Sequence, residues 1–234
     1  MGEPICDSWV QAVAAGQSFA EVGGLWGTKN EQVTTAALAG ASSTTMIDVW
    51  PEDGDVDYWQ LFRDRARSMG VDGTAEIHGS IDDPLTVEEA GSFDVVCCSG
   101  VLYHCPEPLQ TLRHLRAITR KTLILGTVTI PEEIANSAGR LEVEPGAALP
   151  VFALNASQIS VVGQWLRDLG DIHIQADGIT HPSPWVIGNY DPWWWLFTRD
   201  AIAGLLRVAG FEVEAVAATW AGRSSLFRAT PTRA

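Results

Sequence analysis

Short apolar runs and segments of helical periodicity alternate along most of this chain. The helical spacing of apolar side chains predicts helices, and the short runs between turn-forming residues predict strands. The predicted strands are residues 18–22, 44–49, 75–78, 93–98 and 122–129, and the predicted helices between and before them are 5–16, 30–39, 57–69 and 108–120. Because strands and helices alternate strictly, the pattern predicts a parallel sheet with helices on both faces.

The regular alternation ends at Pro131. Residues 131–192 are rich in Pro, Gly, Asn and Asp, with one helical segment at 157–169, and are expected to form an insertion over the carboxyl ends of the strands, where open α/β sheets bind ligands. A helix at 198–209 then precedes two strands, 211–218 and 224–229, with no helix between them. We therefore predict an α/β fold: a Rossmann-like, doubly wound, mostly parallel seven-stranded sheet that ends in an antiparallel hairpin, with residues 1–234 forming a single domain.

The most specific local pattern lies in residues 18–27, where an apolar run ends in Glu21 and then breaks into glycines. Asp48 ends the next strand, 25 residues after Gly23, close to the spacing of about 20 expected for a ribose-binding acid. Glycines let the backbone approach a ligand, and a carboxylate at the second strand tip accepts hydrogen bonds from ribose hydroxyls. The unit predicts a nucleoside-bearing cofactor, and the alternative is a tight structural turn.

The charge of the chain bears on its partners. The formal net charge of −14 over 234 residues repels phosphate backbones and anionic membranes. Arg113, Arg116, Arg120 and Lys121 have the spacing of a solvated helix face rather than of a nucleic-acid patch. We therefore expect neither nucleic acid nor a membrane as a partner, and the oligomeric state stays open.

The four cysteines, Cys6, Cys97, Cys98 and Cys105, show no paired C-x-x-C spacing, so no zinc site and no other metal site is expected. Reduced thiols are typical of a cytoplasmic protein. The first residues lack the apolar core of a signal peptide, and no run of 18 apolar residues predicts a membrane span. These features predict a cytoplasmic location.

Residues 93–108, Phe-Asp-Val-Val-Cys-Cys-Ser-Gly-Val-Leu-Tyr-His-Cys-Pro-Glu-Pro, resemble the fourth-strand motif of class I S-adenosylmethionine-dependent methyltransferases. In the same way residues 21–27 resemble the first motif of that family, Asp48 its ribose-binding acid, residues 79–82 its adenine-flanking loop, and residues 191–211 the helix and turn before its sixth strand. The pattern is most similar to the branch that contains tRNA wobble-uridine carboxymethyltransferases, although the acidic charge argues against a tRNA substrate here.

The resemblance implies S-adenosylmethionine as the cofactor. The positions that it assigns to the cofactor site are Glu21, Gly23, Gly24, Trp26, Gly27, Asp48, Val49, Trp50, Ser80, Ile81, Asp82 and Ser99. Leu25 and Trp26 stand where the family often has Gly and a small residue, and Ser80 stands where it commonly has Asp. Either Ser80 or Asp82 is then expected to bond to the adenine amino group.

Methyl transfer requires an acceptor held in line and, for a hydroxyl or ammonium acceptor, a base. His104 follows the fourth strand and is the first candidate base, with a structural or cofactor-orienting role as the alternative. His181, in the insertion, is the second candidate base, with an exposed loop histidine as the alternative. Aromatic walls suit a flat or cationic acceptor, and the residues expected to line its site are Tyr103, Trp185, Tyr190, Trp193 and Trp194, unless they only pack the core.

We therefore predict a methyltransferase that acts on an oxygen or nitrogen of a small molecule, a specialised metabolite, with residues 131–192 as an insertion or lid covering the acceptor site. Three alternatives stay open at this point. They are an RNA nucleoside methyl- or carboxymethyltransferase, a non-catalytic S-adenosylmethionine-binding protein, and a nicotinamide-dependent enzyme.

Overall fold

The structure is a computed structural model that describes residues 4–26, 31–51, 56–168, 179, 186–190 and 192–233. Its helices are α1 (Pro4–Ala14), α2 (Val33–Leu38), α3 (Tyr58–Ser68), α4 (Pro84–Ala90), α5 (Pro108–Ile118), α6 (Ala156–Arg167) and α7 (Arg199–Val208). Its strands are β1 (Ser18–Val22), β2 (Ser43–Asp48), β3 (Ala75–His78), β4 (Phe93–Ser99), β5 (Thr119–Ile130), β6 (Glu133–Asn136), β7 (Gly139–Glu142), β8 (Ala148–Pro150), β9 (Trp195–Thr198), β10 (Phe211–Thr219) and β11 (Ser224–Pro231).

Seven strands form the main sheet in the order β10-β11-β5-β4-β1-β2-β3. The five strands from β5 to β3 are mutually parallel, whereas β11 runs antiparallel to both β5 and β10. The predicted doubly wound sheet and its terminal hairpin are therefore confirmed. The carboxyl ends of β1, β2, β3 and β4 meet at one edge, so the loops that follow these strands lie together.

Strand β4 shows why the sheet is covered on both faces. Cys97 packs with Phe19 and Trp59 on the side of α1, α2 and α3, and Cys98 packs with Leu112 on the side of α4, α5 and α7. All of these side chains are buried. A central parallel strand reads as a continuous apolar run for this reason.

The insertion has regular structure that the sequence did not predict beyond its one helix. Strands β6 and β7 form an antiparallel hairpin, and α6 packs on it around Val161 and Val162. Strand β9 pairs in parallel with Thr129 and Ile130 at the end of β5 and antiparallel with β8. The insertion is thus fastened to the carboxyl end of a core strand.

Two further predictions about local structure were wrong. Helix α4 was not predicted, because it is short. Asp83 caps it by accepting a hydrogen bond from the backbone N–H of Leu85 at 2.9 Å, and Pro84 is its first residue. Arg120 and Lys121 belong to β5 rather than to a helix, because the backbone becomes extended at Thr119.

Candidate functional site

A cavity of about 280 Å³ opens at the carboxyl ends of β2 and β3. Its wall combines the residues after β2, the loop after β3 and a short part of the insertion. The lining residues are Val49, Trp50, Pro51, His78, Gly79, Ser80, Asp83, Ile187 and Gly188. Of these, the sequence predicted Val49, Trp50 and Ser80 as site residues.

Asp48, at the end of β2, bonds to the backbone of the glycine turn that follows β1. One carboxylate oxygen accepts from the backbone N–H of Leu25 at 2.9 Å, and the other accepts from Val49 at 2.7 Å and from Trp50 at 3.4 Å. The side chain of Leu25 is fully buried, so it anchors the turn from below. Burial raises the pKa of the Asp48 carboxyl, and the three backbone N–H groups oppose that rise.

The glycine turn after β1 is tight for steric reasons. Gly23 has a φ of +78°, and a Cβ there would lie 2.2 Å from Cγ2 of Val101. A Cβ on Gly24 would lie 2.5 Å from Cδ of Glu21. Trp26 projects from the turn with 68% of its surface exposed, and Gly27 lies outside the described residues.

The N-terminus of α2 is occupied by the protein's own carboxylates. Glu21 accepts from the backbone N–H groups of Gln32 and Val33, the latter at 3.0 Å, and Glu31 accepts from that of Thr34 at 2.8 Å. Burial, and secondarily the charge of Glu31, raises the pKa of Glu21 well above its usual range. Among the described residues, the N–H groups of Gln32, Val33 and Thr34 are therefore bonded to the protein's own carboxylates and are not open to a phosphate.

In the loop after β3, Ser80 lines the cavity, whereas Ile81 and Asp82 do not. The Ser80 hydroxyl lies 2.8 Å from the hydroxyl of Tyr190 and accepts from the backbone N–H of Asp82 at 3.1 Å. The Asp82 carboxylate accepts from the hydroxyl of Thr111 at 2.5 Å, and the side chain of Ile81 is buried. Of the two residues that the sequence offered for the adenine amino group, Ser80 therefore lines the cavity and Asp82 does not.

His104 lies in a short 3₁₀ turn, Leu102–His104, just after β4. Its Nδ1–H donates to the carbonyl oxygen of Pro192 at 3.0 Å, because a carbonyl can only accept. That bond fixes the tautomer and leaves Nε2 with a lone pair. Burial lowers the pKa of His104 to about 4, against the opposing effect of the Pro192 carbonyl, so the ring is neutral at pH 7.

The predicted acceptor-lining aromatics point in different directions. The ring of Tyr103 lies 4.5 Å from the ring of Trp193 and 4.1 Å from the ring of His104. The hydroxyl of Tyr190, a residue expected beside the acceptor, bonds to that of Ser80, and its ring lies 6.3 Å from the ring of His104. Within the described part of the chain, the buried indole N–H of Trp194 has no hydrogen-bond partner.

Three other residues were predicted for the site, namely Ser99, His181 and Trp185. Ser99 is exposed at the end of β4, and a Cβ on Gly126 would lie 2.4 Å from its hydroxyl. His181 and Trp185 lie outside the described residues.

Sequence reasoning missed six of the nine lining residues, namely Pro51, His78, Gly79, Asp83, Ile187 and Gly188. The Asp83-Pro84 pair was a readable helix start, and Gly188, with a φ of +81°, marks a turn. The contact between Pro192 and His104 had no local signal, since it joins residues 88 positions apart.

Two searches of the described residues concern metals and membranes. No group of three or more His, Cys, Asp or Glu side chains there is placed to hold a metal ion. No helix among them is long and apolar enough to cross a membrane.

Comparison with known proteins agrees with this geometry. A family profile described as a methyltransferase domain matches residues 29–125. No curated protein sequence matches significantly.

Solved structures share the fold at low sequence identity. Magnesium protoporphyrin IX methyltransferase from Synechocystis, with bound S-adenosylhomocysteine, is 15% identical with a TM-score of 0.59, over 98% of this chain and 81% of that one. A 1,6-didemethyltoxoflavin-N1-methyltransferase from Burkholderia thailandensis is 13% identical with a TM-score of 0.55, over 98% and 77% of the two chains. A putative methyltransferase from Bacillus halodurans is 13% identical with a TM-score of 0.59, over 97% and 99%.

Proposed function

Since the chain belongs to the class I S-adenosylmethionine-dependent methyltransferase superfamily, we propose that it transfers a methyl group to an oxygen or nitrogen of a small molecule. The acceptor is a specialised metabolite with a flat or cationic group. The observation that carries the proposal is the cavity lined by Trp50 and Ser80, at the strand end that carries Asp48.

The residues around the cavity fit an adenosine. Asp48, at the tip of β2, presents a carboxylate whose remaining lone pairs can accept from ribose hydroxyls. Trp50 gives the cavity an aromatic wall, and Ser80 gives it a hydroxyl at the opposite side. S-adenosylmethionine, when bound, supplies an electrophilic methyl group on a sulfonium and needs no phosphate contact.

His104 is the residue that we assign to proton transfer. Its Nε2 is unprotonated at neutral pH, and the bond from Nδ1 to Pro192 orients the ring. The Nε2 lone pair accepts the proton that a hydroxyl or ammonium acceptor loses. Because its pKa is low, this base suits an acceptor that becomes acidic as its new bond forms.

The insertion is proposed to cover the acceptor and exclude water. Its described residues Tyr190 and Pro192 contact Ser80, which follows β3, and His104, which follows β4. Tyr103 and Trp193 pack against each other beside His104, and Trp193 is buried, so these two rings support the turn that carries His104.

Two considerations favour a small molecule over RNA. The relatives from Synechocystis and Burkholderia methylate magnesium protoporphyrin IX and 1,6-didemethyltoxoflavin, according to their descriptions. The net charge of −14 opposes association with a polyanion.

The first test is calorimetric titration with S-adenosylmethionine and S-adenosylhomocysteine, with NAD as the comparison ligand. We expect micromolar binding of both sulfur-containing nucleosides and none of NAD. Tight NAD binding, or no binding of either nucleoside by folded protein, would contradict the proposal.

A second test uses labelled S-adenosylmethionine, a panel of small aromatic and cationic acceptors, and bulk tRNA. We expect label to pass to a small molecule. Transfer to tRNA alone would establish an RNA enzyme, and cofactor binding without transfer to any acceptor would favour a binding protein.

A further inference from the structure

A short part of the insertion, residues 186–190, contacts the loops that follow two core strands. Gly188, with a φ of +81°, lies against Val49 after β2, since a Cβ on this glycine would be 3.7 Å from Cγ1 of that valine. Tyr190 bonds through its hydroxyl to the hydroxyl of Ser80, in the loop after β3, at 2.8 Å. The segment is therefore fastened to the sheet just before the chain reaches the candidate base.

Two residues further along the chain, Pro192 holds the imidazole of His104. The buried Pro192 supplies a carbonyl oxygen that accepts from Nδ1–H of the ring at 3.0 Å. This bond decides which tautomer the neutral imidazole adopts, because Nε2 keeps its lone pair only while Nδ1 holds the proton. The position of one backbone carbonyl therefore sets the form of the residue that we assign to proton transfer.

The backbone that presents this carbonyl has an anchor on each side. On the later side, the backbone N–H of Trp194 donates to the carbonyl of Tyr103 at 2.9 Å. On the earlier side, the bond of Tyr190 to Ser80 is the nearest anchor within the described residues. Because every residue has two soft backbone dihedrals, a carbonyl that is held from one side only can turn away from its donor.

We propose that Tyr190 is a positioning residue for the base: its bond to Ser80 holds the backbone that carries the Pro192 carbonyl, and so keeps the proton of His104 on Nδ1. The inference rests on the proposed function, because it concerns the same proton acceptor. The Tyr190 hydroxyl then acts through its neighbours, without touching the cofactor or the acceptor.

The rival explanation is that the later anchor is sufficient. The ring of the buried Trp193 lies 4.5 Å from that of Tyr103 and 6.1 Å from that of His104, so packing alone also supports the turn. The bond between Tyr190 and Ser80 would then only fasten the insertion to the sheet. The two explanations differ in what happens to the imidazole when the Tyr190 hydroxyl is removed.

The test is long-range ¹H–¹⁵N NMR of the histidine rings in the whole, ligand-free protein, because a protonated ring nitrogen and one with a lone pair have distinct shifts. Tyr190→Phe removes the hydroxyl and keeps the ring. We expect the ratio of the Nδ1–H to the Nε2–H form of His104 to fall about 3- to 10-fold, the scale of losing one ordinary hydrogen bond. The two nitrogen shifts should converge accordingly, and His104→Gln assigns the signal by its loss.

Ser80→Ala breaks the same bond from its other end. We expect it to lower the tautomer ratio of His104 as much as Tyr190→Phe does, and the double variant to lower it no further, because all three lack one and the same bond. A double variant whose effect is the product of the two single effects would show that the hydroxyls act separately, which contradicts the inference.

Two controls isolate the effect. Tyr58→Phe removes the hydroxyl of another tyrosine, whose ring lies 4.8 Å from that of Trp50, and should leave the tautomer ratio unchanged. His114 is the internal reference, since its Nδ1 bonds to the carbonyl of Ile81, in the loop after β3, at 2.7 Å. Its signal should be the same in Tyr190→Phe as in the wild type, which would show that this loop keeps its shape.

The outcomes separate this inference from the function. A wild-type His104 with its proton on Nε2, an unchanged tautomer in Tyr190→Phe, or an equal change at His114 overturns the inference. None of these results bears on the cofactor, because the spectra are those of ligand-free protein. The methyltransferase proposal fails separately, if the wild type does not bind S-adenosylhomocysteine in calorimetry. If Tyr190→Phe does not fold, Ser80→Ala alone decides.

Discussion

Asp48 combines a structural contact with the position of a ligand-binding group. Its carboxylate holds the glycine turn through Leu25 and lies at the edge of the proposed adenosine cavity. In Asp48→Asn, one acceptor oxygen becomes a donor that faces backbone N–H groups. We expect affinity for S-adenosylhomocysteine to fall about 10- to 100-fold, the scale of losing charge-assisted hydrogen bonds.

Asp72→Asn is the matched control, because it makes the same charge change at an exposed position before β3. Calorimetry on both variants, with urea unfolding alongside, separates lost binding from lost folding. Wild-type affinity in Asp48→Asn would remove this residue from the cofactor site.

His104 leads to a prediction about stability and pH. Its folded pKa, about 4, lies below the ordinary histidine value of about 6.5. The unfolded chain therefore binds a proton in this window that the folded chain does not, and stability falls as pH drops from 6.5 towards 4. From pH 7 to pH 5 we expect this residue to cost about 1–2 kcal/mol of unfolding free energy.

His104→Gln should remove that pH-dependent loss, since a glutamine amide still donates to the Pro192 carbonyl but does not titrate. His114→Gln is the control, because His114 makes the same kind of bond to the carbonyl of Ile81, at 2.7 Å. Urea unfolding at pH 7 and pH 5 gives the comparison. An unchanged pH dependence in His104→Gln would show that His104 does not have a lowered pKa.

At the scale of elements, the start of α2 depends on the absence of a Cβ in the preceding turn. The added methyl group of Gly24→Ala would displace the buried Glu21 carboxylate from the N–H groups of Gln32 and Val33. We expect a loss of about 1–3 kcal/mol in unfolding free energy and weaker binding of S-adenosylhomocysteine.

Gly204→Ala is the control for Gly24→Ala, because it makes the same substitution where the added methyl group meets no neighbour. Gly204 lies inside α7, and a Cβ there meets no atom within 4 Å. We expect a gain of about 0.5–1 kcal/mol from helix propensity. Thermal or urea unfolding of the two variants gives opposite signs, and equal effects would contradict the role assigned to Glu21.

The sequence predicted those elements whose buried and exposed positions follow a pattern within the element itself. Strands such as β1 and β3 were placed at their observed bounds, because each is a short run between turn residues. The insertion strands β6, β7 and β8 are three or four residues long and partly exposed, so they leave no periodic signal. They form because α6 and the end of β5 pack against them, which is tertiary information.

The site residues likewise fall into those that local sequence could predict and those that it could not. Asp48 and the glycine turn could be predicted because their spacing is fixed by one strand–turn–helix–strand unit. The bond between Ser80 and Tyr190 joins residues 110 positions apart, and no sequence period connects them. The prediction that Tyr190 lines the acceptor site was therefore made without knowledge of its bond to Ser80.

At the scale of the whole molecule, three of the basic residues between 113 and 121 bond to other parts of the protein, away from the cavity. Arg120 donates to Asp94 at 3.1 Å, Lys121 to Gln17 at 2.6 Å, and Arg116 to the carbonyl of Gly210 at 3.0 Å. Arg120 and Lys121 open β5, at the sheet edge opposite the carboxyl ends. Their charges are therefore engaged with the protein and lie far from the proposed active site.

We expect the protein to bind tRNA more weakly than about 10⁻⁴ M at physiological salt, the weak limit of non-specific nucleic-acid binding. Fluorescence anisotropy with labelled tRNA at 50 and 200 mM salt measures this. Tighter binding with a steep salt dependence would reopen the RNA-modifying alternative.

Strand β5 has a consequence for how the protein is made. Its middle residues pair with β11 and its last two with β9, and both partners follow the insertion in the chain. As the polypeptide leaves the ribosome, β1 to β5 can assemble first, and one side of β5 then stays open while the entire insertion is being translated. An open, apolar strand edge is a template for pairing with another nascent chain. We therefore expect the nascent chain to be most prone to mispairing in the interval between synthesis of β5 and of β11.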